Sequence, residues 1–328
     1  MSGVQAQREK PKISVLVVLY NSAGYIGPCL ESLIHTGYPD LELILVDNGS
    51  DDDSLLEARK VAAPHGLAFI SSALGRNRGF ARANNEAFEL STGDIILMLN
   101  PDTELYGDAL EKLVEAFESD PSIGIAGCKL YHPDGKTIQH AGGFIRDNAL
   151  TMHYGTDETD EGQFDEMRDV PYVTGAALAV RRGVFVRAGL LDGGYYPAYF
   201  EETDLCLKVR RLGYRVVYVP GAKLIHHEST TTMKYSERFL YLYHKNRIRF
   251  LLKNYSWRFL LERALPFEER WIGWILPEEQ AIPLNKAYLA NIALLPRTLL
   301  ERRRMERELS VPRVEDTTGE SCIVVPDQ

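Results

Sequence analysis

Four apolar runs punctuate the first hundred residues. Residues 13–19 (ISVLVVL), 41–46 (LELILV) and 94–100 (DIILMLN) are almost unbroken, and 67–71 (LAFIS) is a weaker one. Continuous apolar character, as opposed to alternation, predicts strands covered on both faces, as in a parallel sheet. Between these runs, 23–36, 53–63, 79–91 and 107–119 carry helical periodicity. Strand–helix repetition of this kind predicts a doubly wound α/β fold.

The pattern changes near residue 129. His132-Pro133-Asp134-Gly135 predicts a tight turn in a hairpin. Residues 155–169 (GTDETDEGQFDEMRD) are acidic and poor in core-forming side chains, and are expected to form a mobile surface loop. Apolar segments return at 172–181 and 214–219. A long helix is expected at 235–253, and 265–309 reads as helical, rich in aromatic and basic residues. The expected divisions are a tail at 1–12, two halves of one domain at 13–128 and 129–232, a helical region at 233–311 and a tail at 312–328.

Composition narrows the class. With 328 residues, 45% of them hydrophobic, the chain can bury a large core. A formal charge of −9 argues against general nucleic-acid binding. Cysteines 29, 128, 206 and 322 are scattered, without metal-ligand or CxxC spacing, which fits a reducing compartment. Residues 1–12 lack the apolar stretch of a signal peptide, and no run approaches the ~20 residues of a spanning helix. The expectation is a cytoplasmic protein, or one peripheral on a membrane.

Chemistry-bearing residues collect where strands end. LILVDNGSDDDS (43–54) places Asp47 at the end of a buried strand, where open α/β sheets bind ligands. Asp47 suits a base or ribose, or simply forms a turn. Asp51 to Asp53 read more simply as a helix N-terminal run. Asn77, Arg78 and Gly79 precede a helix and offer backbone N–H groups and a cation to a nucleotide, or a plain glycine turn. LNPDT (99–103) ends a strand on Asp102, which is either a ligand for Mg²⁺ or Mn²⁺ or, with Thr103, a cap for the next helix. FEETDLCLKVRRLGY (200–214) is an amphipathic helix with Glu201, Glu202 and Asp204 in its first turn, suited to a general base or to an ordinary acidic helix start. LIHHES (224–229) puts His226 or His227 near a strand end, where a structural role is the commoner one.

The order of these segments is distinctive. YN (20–21), VDNGSDD (46–52), NRGFARANN (77–85), LNPDT, TGAALAVRR (174–182), LLD (190–192), EETDLCLKVRRLGY and IHHES together resemble the family 2 inverting glycosyltransferases, most of all their rhamnosyltransferase-like branch. The resemblance covers roughly 13–255. It implies a GT-A fold, a mostly parallel central sheet with a helical C-terminal extension. It implies transfer of a sugar, rhamnose favoured, from a dTDP- or UDP-sugar to a glycan or polyprenyl-linked acceptor in cell-surface polysaccharide synthesis, assisted by a divalent cation (Mg or Mn).

Carried onto this chain, Tyr20, Asn21 and Asp47 would hold the nucleoside. Asp102 matches the metal-binding carboxylate and His226 a histidine that completes the metal site in some members. Asn100 stands where the strict DxD pattern has its first acid. Gly175 and Ala176 match a loop lining the sugar and acceptor site. Glu202 matches the catalytic base, one methylene longer than the usual Asp, which leaves Glu201 and Asp204 as alternatives. No G-x-G-x-x-G follows a strand, against a nicotinamide dehydrogenase. The glycine-rich, arginine-bearing loop of a nucleotidyltransferase is missing after the first strand, and a binding-only relative is the non-enzyme alternative. In the C-terminal region, Trp257, Trp271 and Trp274 with Arg297, Arg302, Arg303, Arg304 and Arg307 suggest contact with an anionic membrane. Glu301, Glu306 and Glu308 interrupt the positive run and favour a helical subdomain packed on the core.

Overall fold

The computed structural model describes residues 10–65, 69–228, 236–274 and 276–309. Its strands are β1 (Ile13–Leu19), β2 (Leu41–Asp47), β3 (Phe69–Ala73), β4 (Ile95–Leu99), β5 (Thr103–Leu105), β6 (Ile123–Tyr131), β7 (Ile138–His140), β8 (Gly143–Ile145), β9 (Thr151–His153), β10 (Arg168–Asp169), β11 (Ala177–Arg181) and β12 (Arg215–His226). The helices are α1 (Ile26–His35), α2 (Ser54–Ala62), α3 (Phe80–Glu89), α4 (Ala109–Ser119), α5 (Arg182–Arg187), α6 (Glu201–Arg211), α7 (Glu237–Asn254), α8 (Trp257–Phe259), α9 (Leu265–Trp274) and α10 (Glu278–Leu309).

One sheet runs β10-β12-β6-β11-β4-β1-β2-β3. β1 to β4 are mutually parallel where they pair, β12 runs parallel to β6, and β11 lies antiparallel between β4 and β6. This is the mostly parallel α/β sheet expected. The apolar runs are continuous because both faces are covered. Leu16, Ile44, Val46, Ile96 and Met98 pack with α3, α6 and α7, while Val15, Val17, Leu43, Leu45 and Leu97 pack with α1 and α4. Successive side chains thus point to opposite, equally buried faces. Each such side chain contributes about 1.5–3 kcal/mol on burial.

The turn at 132–135 joins β6 to β7 as expected, with Gly135 in the left-handed region. Of the weak strand expected at 67–71, residues 67 and 68 lie outside the described residues, and β3 begins at Phe69. The tail after 312 also lies outside them. The strand expected at 214–219 runs on to His226, because a bulge between Val219 and Lys223 absorbs Pro220 and Gly221.

The acidic stretch 155–169 lies at the surface, as its composition suggested, but it is anchored from below. It folds around Lys129, whose ammonium is fully buried. Lys129 Nζ donates to Asp160 at 2.8 Å and to Asp165 at 2.6 Å, and the Tyr131 hydroxyl donates to Asp160. Phe164 packs on the core, and the stretch ends in β10 on the sheet edge. Acids that look solvating in the sequence here neutralise a buried cation.

Beyond the sheet, α10 packs along α7. A small core of Ile248, Trp271, Leu284 and Ala287 surrounds the buried Arg247, which forks onto Glu268 at 2.6 and 2.8 Å. The region is thus the packed helical subdomain favoured above. Among the described residues, no helix is long and apolar enough to cross a membrane.

Candidate active site

β1 and β4 are neighbours, yet the chain leaves them in opposite directions, to β2 and β3 on one side and to β11 on the other. Such a switch point opens a crevice at the strands' carboxyl ends. A cavity of about 400 Å³ lies there. Tyr20 enters it after β1, Asn100 and Asp102 after β4, Asn77 ahead of α3, and His226 from the end of β12.

The LNPDT stretch explains the convergence. Its strand does not lead into a helix cap, since α4 starts only at Ala109. Residues Thr103–Leu105 instead form β5, antiparallel to β12, with Thr103 opposite His226. That register sets His226 Nε2 3.4 Å from Asp102 Oδ1, with the Asp102 residue only 5% exposed. His226 Nδ1 lies 2.6 Å from Gln139 Oε1. A carboxamide oxygen only accepts, so Nδ1 carries a proton and Nε2 is the ring nitrogen that faces Asp102. A carboxylate and an imidazole nitrogen at this separation can share a proton or hold a cation. A carboxylate suits Mn²⁺ or Mg²⁺, and an imidazole beside it suits Mn²⁺ better than Mg²⁺. Among the described residues, no group of three His, Cys, Asp or Glu side chains is arranged to hold a metal. His227 turns away to Glu104, 2.5 Å from its Nε2.

The loops after β1, β2 and β3 clasp one another. Asp47 Oδ1 accepts from the Ser50 backbone at 3.1 Å and hydroxyl at 2.6 Å. Asn21, at φ 52°, accepts from Asp51 N at 2.8 Å. Asp52 accepts from Ala23 N at 2.9 Å, so the acidic run ties loops together besides preceding α2. Asn77 Oδ1 caps its own turn through Gly79 N at 2.8 Å. Gly79 has φ 85°, and a Cβ there would lie 2.9 Å from Pro197 O, so only glycine fits. Arg78 faces a neighbouring cavity instead of this one.

The acidic stretch separates into different roles. Glu201 is 2% exposed, and its Oε1 has no hydrogen-bond partner. Burial, and then the charge of Glu202, push its carboxyl well above the usual range. Burial likewise raises Glu202, whose Oε1 accepts from the Thr203 hydroxyl at 3.2 Å. Glu202 lies against Gly175, where a Cβ would come 3.6 Å from its Cβ and Cγ and 3.5 Å from Phe80, a cavity-lining residue. Ala176 O accepts from Asn100 N at 2.8 Å, joining that loop to the Asp102 turn. Asp204 is not brought to the cleft. It is fully buried, and Lys253, Asn254 and the Tyr195 hydroxyl occupy its oxygens at 2.8–2.9 Å.

Residues 14–188 match the family model for glycosyl transferase family 2. The chain belongs to that family. It is 26% identical over 274 residues to an N-acetylglucosaminyl-diphospho-decaprenol L-rhamnosyltransferase of Mycobacterium tuberculosis, covering 75% of this chain and 86% of that one. It is 30% identical over 235 residues to the O-antigen biosynthesis protein RfbC of Myxococcus xanthus, covering 68% of this chain but only 18% of that much longer protein. Its fold is similar to that of a mannosyltransferase from Pyrobaculum calidifontis solved with GDP-Man and Mn²⁺, with a TM-score of 0.57 at 18% identity over 92% of this chain and 86% of the other. The fold is GT-A.

Several side chains in this family 2 site carried no obvious signal in the sequence. Asn48, 3% exposed, looked like part of a turn. It donates to Asn77 at 3.3 Å and accepts from Arg78 N at 2.7 Å, fastening the loops after β2 and β3 to each other. Gln139 orients His226. Asn246 sits fully buried on α7 and donates to the carbonyls of Tyr195, Ala198 and Tyr199 at 2.8, 2.8 and 3.1 Å. It holds a segment in which Tyr199 and Phe200 both adopt positive φ, at 82° and 76°. Such conformations cost about 1–3 kcal/mol each and persist where surrounding contacts impose them. For Asn246, a polar residue among the aromatic and aliphatic side chains of α7 was the available clue. Arg238 adds a cation to the cleft lining.

Proposed function

We propose that this family 2 glycosyltransferase moves a sugar, rhamnose favoured, from a dTDP- or UDP-sugar to a hydroxyl of a glycan or lipid-linked acceptor, inverting the anomeric carbon. The Asp102–His226 pair at the switch-point cleft carries this reading, because it is suited to a diphosphate-bridging cation. That the mycobacterial relative acts on a lipid-linked sugar supports the acceptor class.

Tyr20, Asn21 and Asp47 take the nucleoside, with Asn48 and Asn77 holding the loops in register. Asn100, Gly175 and Ala176 border the sugar. A divalent cation bound by Asp102 and His226 would stabilise the charge that develops on the departing diphosphate. Glu202 accepts the acceptor hydroxyl's proton as its oxygen attacks C1 from the face opposite the leaving group. The sugar passes through an oxocarbenium-like state. Glu201, buried and with its carboxyl raised still further, stays neutral beside it and adds no second negative charge. Exposed Trp274, Leu261 and Leu265 would rest against a membrane bearing the acceptor.

Glu202→Gln tests the assignment. General-base assistance is worth about 10²–10⁴-fold, so kcat should fall by that factor with donor affinity unchanged. Because burial raises Glu202, wild-type kcat/KM should climb as pH rises through that raised carboxyl pKa, and the variant should lose that limb. Unaltered turnover would remove Glu202 from the mechanism.

A further inference from the structure

Beside the donor cleft lies a second cavity of about 780 Å³. Tyr196 lines this cavity and Pro197 the cleft, while Asn77 borders both. Arg76, Arg78 and Arg82 enter it from the Asn-Arg-Gly loop and α3, and Arg297 from α10. Glu86 is the one carboxylate among its lining residues. Four guanidinium groups thus face one acid in a chain of formal charge −9.

Elsewhere the arginines have partners, as in Arg215 with Asp120 and Asp169, Arg247 with Glu268, and Arg263 with Asp147. Among the described residues, Arg76, Arg78 and Arg82 make no ion pair, and Arg297 has only its helix neighbour Glu301. Gly193 and Gly194 form part of the wall. A Cβ on Gly193 would come 2.9 Å from Arg82 Nε, so the bare backbone makes room for that side chain. Converging cations repel unless an anion joins them, and the guanidinium fork matches phosphate oxygens in pairs.

We propose that this cavity holds the diphosphate of a polyprenyl-diphosphate-linked acceptor, so that its sugar reaches past the 196–199 segment into the donor cleft. The inference rests on the transferase reading and adds the residues that would recognise the acceptor. The donor's own diphosphate has a separate place at Asp102 and His226. A single sugar carboxylate would leave most of the guanidinium donors unmet. α10 also carries exposed Leu294 and Leu300, one turn either side of Arg297, as a path for the prenyl chain.

The test is calorimetric titration of the full chain with farnesyl diphosphate in EDTA, which silences metal-dependent binding in the cleft. Wild type should bind. Arg82→Gln with Arg297→Gln, both on the exposed surface, should bind at least about tenfold more weakly. The thermal shift given by UDP or dTDP with Mn²⁺ should be the same in both proteins. Equal affinity in the double variant, or no binding by wild type, would overturn the proposal. So would inorganic pyrophosphate binding as tightly as farnesyl diphosphate, which would assign the cavity to free anions, or farnesol doing so, which would assign it to the chain alone. Nucleotide shifts that persist without diphosphate binding would overturn this inference alone, whereas absent nucleotide shifts would count against the transferase reading.

Discussion

Asp204→Ala should unfold the protein's most charged interior. Asp204 accepts from Lys253 Nζ at 2.9 Å on both oxygens, from the Tyr195 hydroxyl at 2.9 Å and from Asn254 at 2.8 Å, with Lys208 3.6 Å away. Lys253 also reaches Asp192 at 2.7 Å, and Arg249 links Asp192 to Glu301 on α10. The cluster therefore joins α6, α7 and the C-terminal helix. Truncating one member of a buried ion pair costs about 3–5 kcal/mol, since the partner stays buried without its countercharge. Asp192 keeps part of Lys253's compensation, while the orphaned Tyr195 hydroxyl adds about 1–3 kcal/mol. A loss of roughly 3–5 kcal/mol follows, a large part of the 5–15 kcal/mol of a typical domain.

Urea unfolding at pH 7 measures it directly. The pH dependence gives a second readout. The charges of Lys253 and Lys208 hold Asp204 below its ordinary 3.8 despite burial, and Lys253 and Arg249 do the same for Asp192. A depressed folded pKa stabilises fully above the unfolded value and is lost as pH falls through the folded one. Asp204→Ala should thus cost most above about pH 4 and flatten the acid limb of stability. A change below about 1 kcal/mol would refute the network's weight. Lost kcat with unchanged stability would return Asp204 to the list of catalytic bases.

Lys129→Met should free residues 155–169 by leaving Asp160 and Asp165 without their buried cation, and limited proteolysis should cut there first; an equally resistant variant would contradict the loop's assigned anchor. Gly79→Ala should cost more than about 1 kcal/mol, since its φ of 85° and the nearby Pro197 carbonyl exclude a Cβ, and it should raise the donor KM through the shifted loop; unchanged melting would contradict that steric reading.

The sheet was legible because its strands are apolar on both faces, as ISVLVVL and IILML require. Asp102 was legible because a proline stops its strand where a crevice can open. Its partnership with His226 depended on family likeness, since only the β5–β12 register, across more than a hundred residues, brings them together. Composition placed 155–169 at the surface but not its anchor, because nothing local reveals that Lys129 lies buried beneath it. Asp204 was indistinguishable from Glu201 and Glu202 in an acidic first turn. Helix phase turns it onto α7, where Lys253 waits. Asn48, Gln139 and Asn246 act by holding other groups, and such roles exist only in three dimensions.

Asp102 and His226 are proposed to hold a divalent cation that would stabilise a nucleotide's diphosphate. The most direct measurement is the thermal shift of wild type and Asp102→Ala with UDP, dTDP, GDP and CMP, each with Mn²⁺ or with EDTA. A ligand at 100 times its Kd stabilises by about 2.7 kcal/mol. A Mn²⁺-dependent shift with UDP or dTDP that disappears in Asp102→Ala is expected. A shift of equal size in EDTA, or one that survives in Asp102→Ala, would contradict the proposal.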